Sequence, residues 1–345
     1  MGNFTKLLGG LLPGLQSKKQ LFQQETVDIG GSLSSLSIDT TSTDVEIVID
    51  KSEQQVNILL ETYEDGPEFS VNYENECLQI RVDEPMYPVS RYATLLKITV
   101  PISIIELKIK TVSGDVSFGK TVLNTISVNT ASGDLAMNEI KGENIKITSQ
   151  SGDVKIKDLY CTVCSISTSS GDIELEGIFG NGQLQTASGD ISIMEYYGEH
   201  LKINAVSGDI DLELMKVTNV MINTASGDVT LGELEGESMK VSTKSADIKI
   251  SSIDFNLNCQ TVSGDIFISD LMENHLSVQS VSGDIAVFTN DMKNSTVQLN
   301  TVSGDLQIHI PMQIEQQSAR QLGGIIGEGK NIMEMKTVSG DIQLS

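Results

Sequence analysis

Twelve aspartates recur at regular intervals and are the residues whose type and spacing first suggest chemistry. Nine successive spacings between them are 18 or 19 residues, and the last two are 21 and 36. Aspartates can act in pairs as general acid and base, or they can bind cations. The candidate site residues are Asp115, Asp134, Asp153, Asp172, Asp190, Asp209, Asp228, Asp247, Asp265, Asp284, Asp305 and Asp341.

Even repetition favours a structural role for these aspartates over a catalytic one. A carbohydrate-active enzyme on a β-helix needs two carboxylates at one special place, with aromatic residues that stack on sugars. Here no repeat stands out chemically, and the three histidines, His200, His275 and His309, occupy unrelated positions in their repeats. The aromatic pair Tyr196-Tyr197 is better explained by packing. We therefore expect no catalytic residue, cofactor or metal, with a carbohydrate-active enzyme as an alternative.

The aspartates belong to a repeat with the pattern Thr-x-Ser-Gly-Asp-apolar-x-apolar, in which Ala246 replaces one Gly, Ala205 replaces one Thr and Ser replaces the Thr in two coils. Further apolar rows lie five and seven residues before the Gly and seven residues after it, and Gly182 interrupts the second of these rows. Apolar residues that alternate with polar ones are typical of a strand with one buried face. The pattern predicts two short strands per coil, joined at the Ser-Gly-Asp corner, and a third inward-facing side.

Stacking is what makes such a repeat stable. One coil cannot bury its own apolar face, whereas stacked coils bury a continuous core. We predict an all-β fold, a parallel β-solenoid (β-helix) of about twelve 19-residue coils with an N-terminal β-rich cap. The Thr of each corner points inward by parity, so its hydroxyl should bond along a ladder or to the corner backbone.

A stacked column of aspartates carries an electrostatic cost. Equivalent atoms of neighbouring coils are about 4.8 Å apart, and two unit charges at that spacing repel by about 0.9 kcal/mol even in water. The sequence allows two ways to offset this repulsion: each carboxylate accepts backbone N–H groups in its own turn, or cations bind between coils. The Gly-Gly-x-Gly nonapeptide of calcium β-rolls is absent from the repeat.

The chain divides into three predicted regions. Residues 1–24 form a flexible or amphipathic leader with three lysines and no acidic residue. Residues 25–106 form the β-rich cap, in which Asp44 marks a degenerate first corner without its Gly. The repeat array occupies 107–345, and an insertion near 309–331, a loop or a local hairpin, precedes the last coil.

The net charge of −24 limits the choice of partners. Such a surface repels the phosphates of nucleic acids and anionic lipids, so nucleic acid is not expected as a partner. A protein with a basic surface, a cationic peptide or an envelope component is favoured, unless the charge serves solubility alone. No stretch is long and apolar enough for an integral membrane segment. We expect a cytoplasmic protein, with peripheral membrane contact through residues 1–24 and secretion as alternatives.

The four cysteines are better explained by packing than by metal binding. Cys161-Thr-Val-Cys164 is a lone CxxC pair with no second pair and no histidine at zinc spacing. Cys164 and Cys259 fall in the inward apolar rows. We therefore expect both to act as small core residues.

The repeated corner resembles that of the bacterial putative adhesin family, a domain of unknown function made of β-strand repeats. The lead-in Leu96-Lys-Ile-Thr-Val-Pro101, followed by Leu107-Lys-Ile-Lys-Thr-Val-Ser-Gly-Asp115, carries the same resemblance, which covers about residues 30–345. It implies a β-helical fold and an association with the bacterial cell envelope or its stress responses, and it supplies no catalytic residues.

We therefore expect a non-enzymatic structural or ligand-binding β-solenoid linked to the cell envelope or envelope stress. The alternatives are a surface adhesin and a carbohydrate-active enzyme. An ice-binding face is disfavoured because the Thr row is predicted to point inward.

Overall fold

The fold is built from β-strands alone. The computed structural model describes residues 7–8, 20–29, 33–50, 52–85, 93–101, 104–272, 274–290 and 292–345. Within these ranges the chain forms 27 strands and no helix. It divides into two compact units, Met1–Gly171 and Asp172–Ser345. In each unit, coils stack in parallel and in register, which confirms the predicted β-solenoid.

The first unit contains thirteen of the described strands. They are β1 (Leu7–Leu8), β2 (Gln20–Val27), β3 (Ser35–Asp39), β4 (Asp44–Ile49), β5 (Val56–Tyr63), β6 (Glu68–Glu74), β7 (Cys77–Asp83), β8 (Leu95–Val100), β9 (Glu106–Lys110), β10 (Val116–Asn129), β11 (Leu135–Thr148), β12 (Val154–Ile156) and β13 (Leu159–Ser167).

One coil of the first unit comes from the predicted cap. Strands β3 and β4 pair in parallel with β9 and β10 on one side, and with β7 and β8 on the other. Antiparallel strands then cover the end of the stack: β6 pairs with β7, β5 with β8, β2 with β5, and β1 with β2. The cap region therefore contributes a full coil as well as the strands that cover it.

The predicted leader is only partly described. Residues 1–6 and 9–19 lie outside the described residues. Residues 20–24 form the first part of β2, which pairs along its whole length with β5. This part of the predicted leader is a strand of the cap, and Leu21, Phe22 and Gln23 are half-buried in it.

The second unit contains the remaining fourteen strands. They are β14 (Ile173–Gln185), β15 (Ile191–Asn204), β16 (Ile210–Asn223), β17 (Val229–Ser242), β18 (Ile248–Gln260), β19 (Ile266–Ile268), β20 (Leu276–Gln279), β21 (Ile285–Val287), β22 (Ser295–Asn300), β23 (Leu306–Ile308), β24 (Gln313–Gln317), β25 (Gln321–Ile326), β26 (Asn331–Lys336) and β27 (Ile342–Leu344).

Most coils contain one long strand, so the prediction of two short strands per coil is wrong for them. Strands β14 to β18 each have 13 or 14 residues. Coil-to-coil pairing continues through the bends, as between β15 and β16, because neighbouring coils bend at the same positions. Only the Ser-Gly-Asp corner interrupts the strand in these coils.

The stacking order at the end of the second unit differs from the order in sequence. Strand β27 pairs with β21 on one side and β23 on the other, and β26 likewise lies between β20 and β22. The coil predicted to be last is therefore internal, and the coil that contains β22 and β23 is terminal. The insertion forms the hairpin β24–β25, whose second strand pairs antiparallel with β22.

The core consists of the predicted aliphatic rows, including the third inward side. The side chains of this third inward row are at most 4% exposed: Ile140, Leu159, Ile178, Tyr196, Met215, Leu234, Ile253 and Leu271. Tyr196 also explains the interruption at Gly182, because a Cβ at Gly182 would lie 3.1 Å from the Tyr196 hydroxyl oxygen. That hydroxyl lies 2.7 Å from the carbonyl oxygens of both Gly180 and His200. The ring of one coil thus fills the space that a missing aliphatic side chain leaves in its neighbour.

Candidate functional site

The corner aspartates of the second unit form a hydrogen-bonded column. The N–H of each aspartate donates to Oδ1 of the aspartate in the preceding coil of the stack, at 2.8–3.1 Å. The column follows the spatial order of the coils, so Asp341 lies between Asp284 and Asp305. Its members are Asp172, Asp190, Asp209, Asp228, Asp247, Asp265, Asp284, Asp341 and Asp305. We call this the acidic column.

The first unit has a shorter column of the same kind. Asp115, Asp134 and Asp153 each donate their N–H to the preceding aspartate at 2.9 Å, and Asp44 accepts the first of these bonds. Asp44 therefore occupies the corner position that the sequence indicated for it. Burial raises the pKa of Asp44; the hydrogen bond from the Asp115 N–H opposes this rise, and the charge of Asp115 adds to it.

The N–H that each carboxylate accepts comes from the neighbouring coil. Of the two ways to offset the repulsion that the sequence left open, the one in which each carboxylate accepts N–H groups of its own turn is corrected: the bond joins two coils. The physical reason is that the side chain points along the stack, toward the backbone of the aspartate one coil away. The bond fixes the register of adjacent coils and offsets part of the repulsion between like charges.

The buried threonine row holds the corners from inside. In the coils from Gly114 to Gly189, the Gly N–H donates to the hydroxyl oxygen three residues earlier, at 2.8–3.0 Å. Ala205 lacks this acceptor, and from Ser207 onward the serines of adjacent corners form parallel bridges instead. The hydroxyl row thus points inward, as parity predicts, and it bonds to the corner backbone in the coils from Gly114 to Gly189. In both arrangements the aspartate side chains point away from the core.

Eight carboxylates of the acidic column, from Asp190 to its end at Asp305, carry charge that no neighbouring cation among the described residues balances. Asp190, Asp209, Asp228, Asp265, Asp284, Asp305 and Asp341 are exposed, and Asp247 is half-buried. Within the described part of the chain, none of these eight carboxylates forms an ion pair with lysine or arginine; the ion pairs of the second unit involve other residues, such as Lys216 with Glu235 at 3.0 Å. The column is therefore a line of negative charge with regular spacing.

An exposed row of valines runs beside the acidic column. The residue directly before the Ser of the corner is Val in six coils. Serine bridges put four of these valines in consecutive coils, in the order Val262, Val281, Val338 and Val302, with 47–65% exposure. Sequence reasoning missed this row, although six valines at one repeat position were the signal for it.

The other candidates for chemistry are separate from one another. His275 Nδ1 accepts the Ile332 N–H at 2.9 Å, and His309 Nδ1 lies 3.0 Å from the Ser345 hydroxyl. The backbone N–H of His200 donates to Asn181. Among the described residues, no three His, Cys, Asp or Glu side chains are grouped to hold a metal ion.

The cysteines differ in their environments. Cys164 and Cys259 are fully buried, as their inward rows predict, and all four cysteines are free thiols. A hydrogen bond from the Cys164 thiol lowers the pKa of the half-buried Cys161 thiol. Burial raises the pKa of Cys259 to about 12.

These environments predict selective alkylation. At pH 7.5, iodoacetamide should modify Cys161 at least about tenfold faster than Cys259, because thiolate is the reactive form and Cys161 is the more accessible thiol. Mass spectrometry of timed digests measures both rates. In denaturant the two rates should converge, and equal rates in the native protein would contradict the assignment.

The described residues include no helix long and apolar enough to cross a membrane. A protein-family model described as Toastrack DUF4097 matches residues 33–217 and 199–345. A search of curated proteins finds no significant match to the sequence.

Three solved structures match the chain at low identity. A putative cell adhesion protein from Clostridium sporogenes is 10% identical, with a TM-score of 0.21, over 94% of this chain and 99% of that protein. A putative adhesin from Parabacteroides merdae is 13% identical, with a TM-score of 0.37, over 72% and 95%. A putative lipid binding protein from Parabacteroides distasonis is 18% identical, with a TM-score of 0.36, over 72% and 96%.

Proposed function

We propose that this chain, which belongs to the Toastrack DUF4097 family, is a non-enzymatic scaffold that binds basic polypeptide segments along its acidic column. The observation that carries the proposal is the dual use of each carboxylate. One oxygen accepts the N–H of the next aspartate and fixes the register. The side chain is nevertheless exposed, so its charge is available to a partner.

The spacing of the charges suits a multivalent cationic partner. Aspartates of adjacent coils repel each other by about 0.9 kcal/mol at about 4.8 Å in water. Lysine or arginine side chains that lie along the column reduce this repulsion at several positions together. A row of such contacts gains affinity because later contacts form within an existing complex.

The same geometry supports a role without catalysis. Catalysis by a pair of carboxylates needs two of them in different environments at one place. The column instead repeats one environment: Asp209, Asp228 and Asp265 each donate their N–H to the preceding aspartate and each accept the next one. A regular array of equivalent groups is suited to binding an extended partner.

Titration with a short fluorescent oligolysine tests the proposal. Binding measured by fluorescence anisotropy should weaken by at least about tenfold between 0.05 and 0.5 M salt, because screening shortens the reach of the charges. In the triple variant Asp209→Asn, Asp228→Asn, Asp247→Asn, affinity should fall by about tenfold, since each Asn keeps the acceptor oxygen and removes the charge.

The matched control removes the same net charge elsewhere. Glu195, Glu213 and Glu233 are exposed on the long strands β15, β16 and β17 of the second unit, outside the column. The variant Glu195→Gln, Glu213→Gln, Glu233→Gln should change affinity by less than about threefold if position matters beyond net charge. Equal losses in the two triple variants would reduce the effect to overall charge and reject the column as the site.

Single variants separate the structural use of the column from its charge. Asp209→Ala removes the acceptor of the Asp228 N–H and should cost about 1 kcal/mol of unfolding free energy. Asp209→Asn should cost less than Asp209→Ala, because the Asn Oδ1 can accept the same bond. Urea unfolding measures both, and equal costs would show that the N–H bond contributes nothing.

A further inference from the structure

The terminal coil of the second unit contains the strands β22 and β23. Among the described residues, β22 has a paired strand on both edges and β23 on one edge. Its strand β22 has β26 on one edge and the hairpin strand β25 on the other. Its strand β23 pairs with β27, and the described residues supply no strand on its other edge. A free strand edge presents unpaired backbone N–H and C=O groups to a passing strand.

The inner coils indicate which groups this edge leaves unsatisfied. Between two stacked coils, the residue that follows the corner aspartate donates its N–H to the backbone carbonyl of the aspartate in the next coil. Ile285 donates to Asp341 at 2.9 Å, and Ile342 donates to Asp305 at 3.0 Å. The corresponding donor in the terminal coil is Leu306, whose N–H points away from β27. The carboxylate of Asp305 likewise accepts no N–H from a further coil among the described residues.

The side chains of the edge are also incompletely covered. Leu306 and Ile308 are half-buried, whereas Ile342 and Leu344, which pair with them in register, are fully buried. The edge therefore lacks the aliphatic side chains that another coil would supply. Val302, at the corner of the same coil, is the most exposed valine of its row, at 65%.

We propose that the open edge of β23 binds an extended segment of a partner protein as an added parallel strand. The inner coils define the chemistry of the segment: an aliphatic-x-aliphatic strand whose preceding residue offers its N–H to Asp305 and its carbonyl to Leu306. This is strand addition, in which main-chain bonds supply affinity and alternate side chains supply specificity. Asp305 also belongs to the acidic column, but the main-chain bonds and aliphatic contacts of the added strand do not require the charge-based binding proposed there.

The hairpin favours a peptide segment over a second copy of the chain. Strands β25 and β24 extend the sheet beyond β22 by two strands, or about 10 Å. Two copies stacked end to end through β23 would have to accommodate both hairpins between them. A single extended segment needs only the space above β23, beside the hairpin.

A peptide with the sequence of residues 337–345 is a suitable probe, because in the protein this sequence already pairs in parallel with β23 from its inner side. Hydrogen exchange of the full chain, monitored by NMR, gives the exchange rate of each backbone amide. Without peptide, the backbone amides of Leu306 and Ile308 should exchange quickly, and the backbone amide of Gln307, which faces β27, should exchange slowly. Saturating peptide should slow Leu306 and Ile308 by at least about tenfold and leave Gln307 unchanged.

A proline variant and a scrambled peptide complete the test. Leu306→Pro removes an outward N–H and no bond to β27, and proline is tolerated on strand edges. Its thermal unfolding should therefore match that of Leu306→Ala, which truncates the side chain and keeps the N–H, whereas its peptide affinity should fall about tenfold relative to Leu306→Ala. The scrambled peptide should not protect either amide. Unchanged exchange at Leu306 and Ile308 under saturating peptide, or full affinity in the proline variant, would overturn the proposal.

Discussion

The Ile342→Ala variant should lose far more stability than Leu306→Ala, although Ile342 comes later in the sequence. Ile342 is fully buried, because β27 lies between β21 and β23. Leu306 occupies the register-matched position in the terminal coil and is half-buried. We expect about 2–5 kcal/mol for Ile342→Ala and about 1 kcal/mol for Leu306→Ala.

Urea unfolding of the two variants measures this difference, and their m values show whether the same surface unfolds in each. The pair is matched, since both changes remove most of a four-carbon aliphatic side chain at equivalent corner positions. A stack that followed the sequence would give the opposite result, because its last coil would tolerate truncation best. Equal costs, or a larger cost at Leu306, would refute the interleaved order.

The Gly133→Ala variant should be among the most destabilising single substitutions in the first unit. A Cβ at Gly133 would lie 1.9 Å from the carbonyl oxygen of Gly114, so the backbone of one coil has to move. We expect a cost of about 3 kcal/mol, at the upper end of overpacking effects. Thermal and urea unfolding measure it.

Gly323→Ala is the control for this substitution. A Cβ at Gly323 has its nearest neighbour, the Val297 carbonyl oxygen, at 3.7 Å, which is ordinary contact, so the change should stay within about 0.5 kcal/mol. Ala246 is the natural exception in the corner row; the glycines on either side of it in the stack, Gly227 and Gly264, have φ of +116° and +148°. If Gly133→Ala loses as little unfolding free energy as Gly323→Ala, the close contact between coils does not require glycine at the corner.

The repeat pattern predicts the cross-section of each coil well. The inward rows, the buried threonines and the positions of Cys164 and Cys259 all follow from parity, because side chains of a strand alternate between two faces. The place of Asp44 as a corner could also be inferred from the four residues around it. Tyr196 filling the space at Gly182 could not be inferred, since it depends on which coil lies next to which.

The sequence by itself therefore determined the all-β repeat, its inward and outward faces, and a stacked row of aspartates at the corners. Only the tertiary structure decided the stacking order, the source of the N–H that each carboxylate accepts, and the open edge at β23. The physical reason is that every coil presents nearly the same aliphatic rows and the same corner, so the pattern allows any coil to stack on any other. The turn around Gly327 and Gly329, both with positive φ, lets the chain fold back and insert its final coil between two earlier ones.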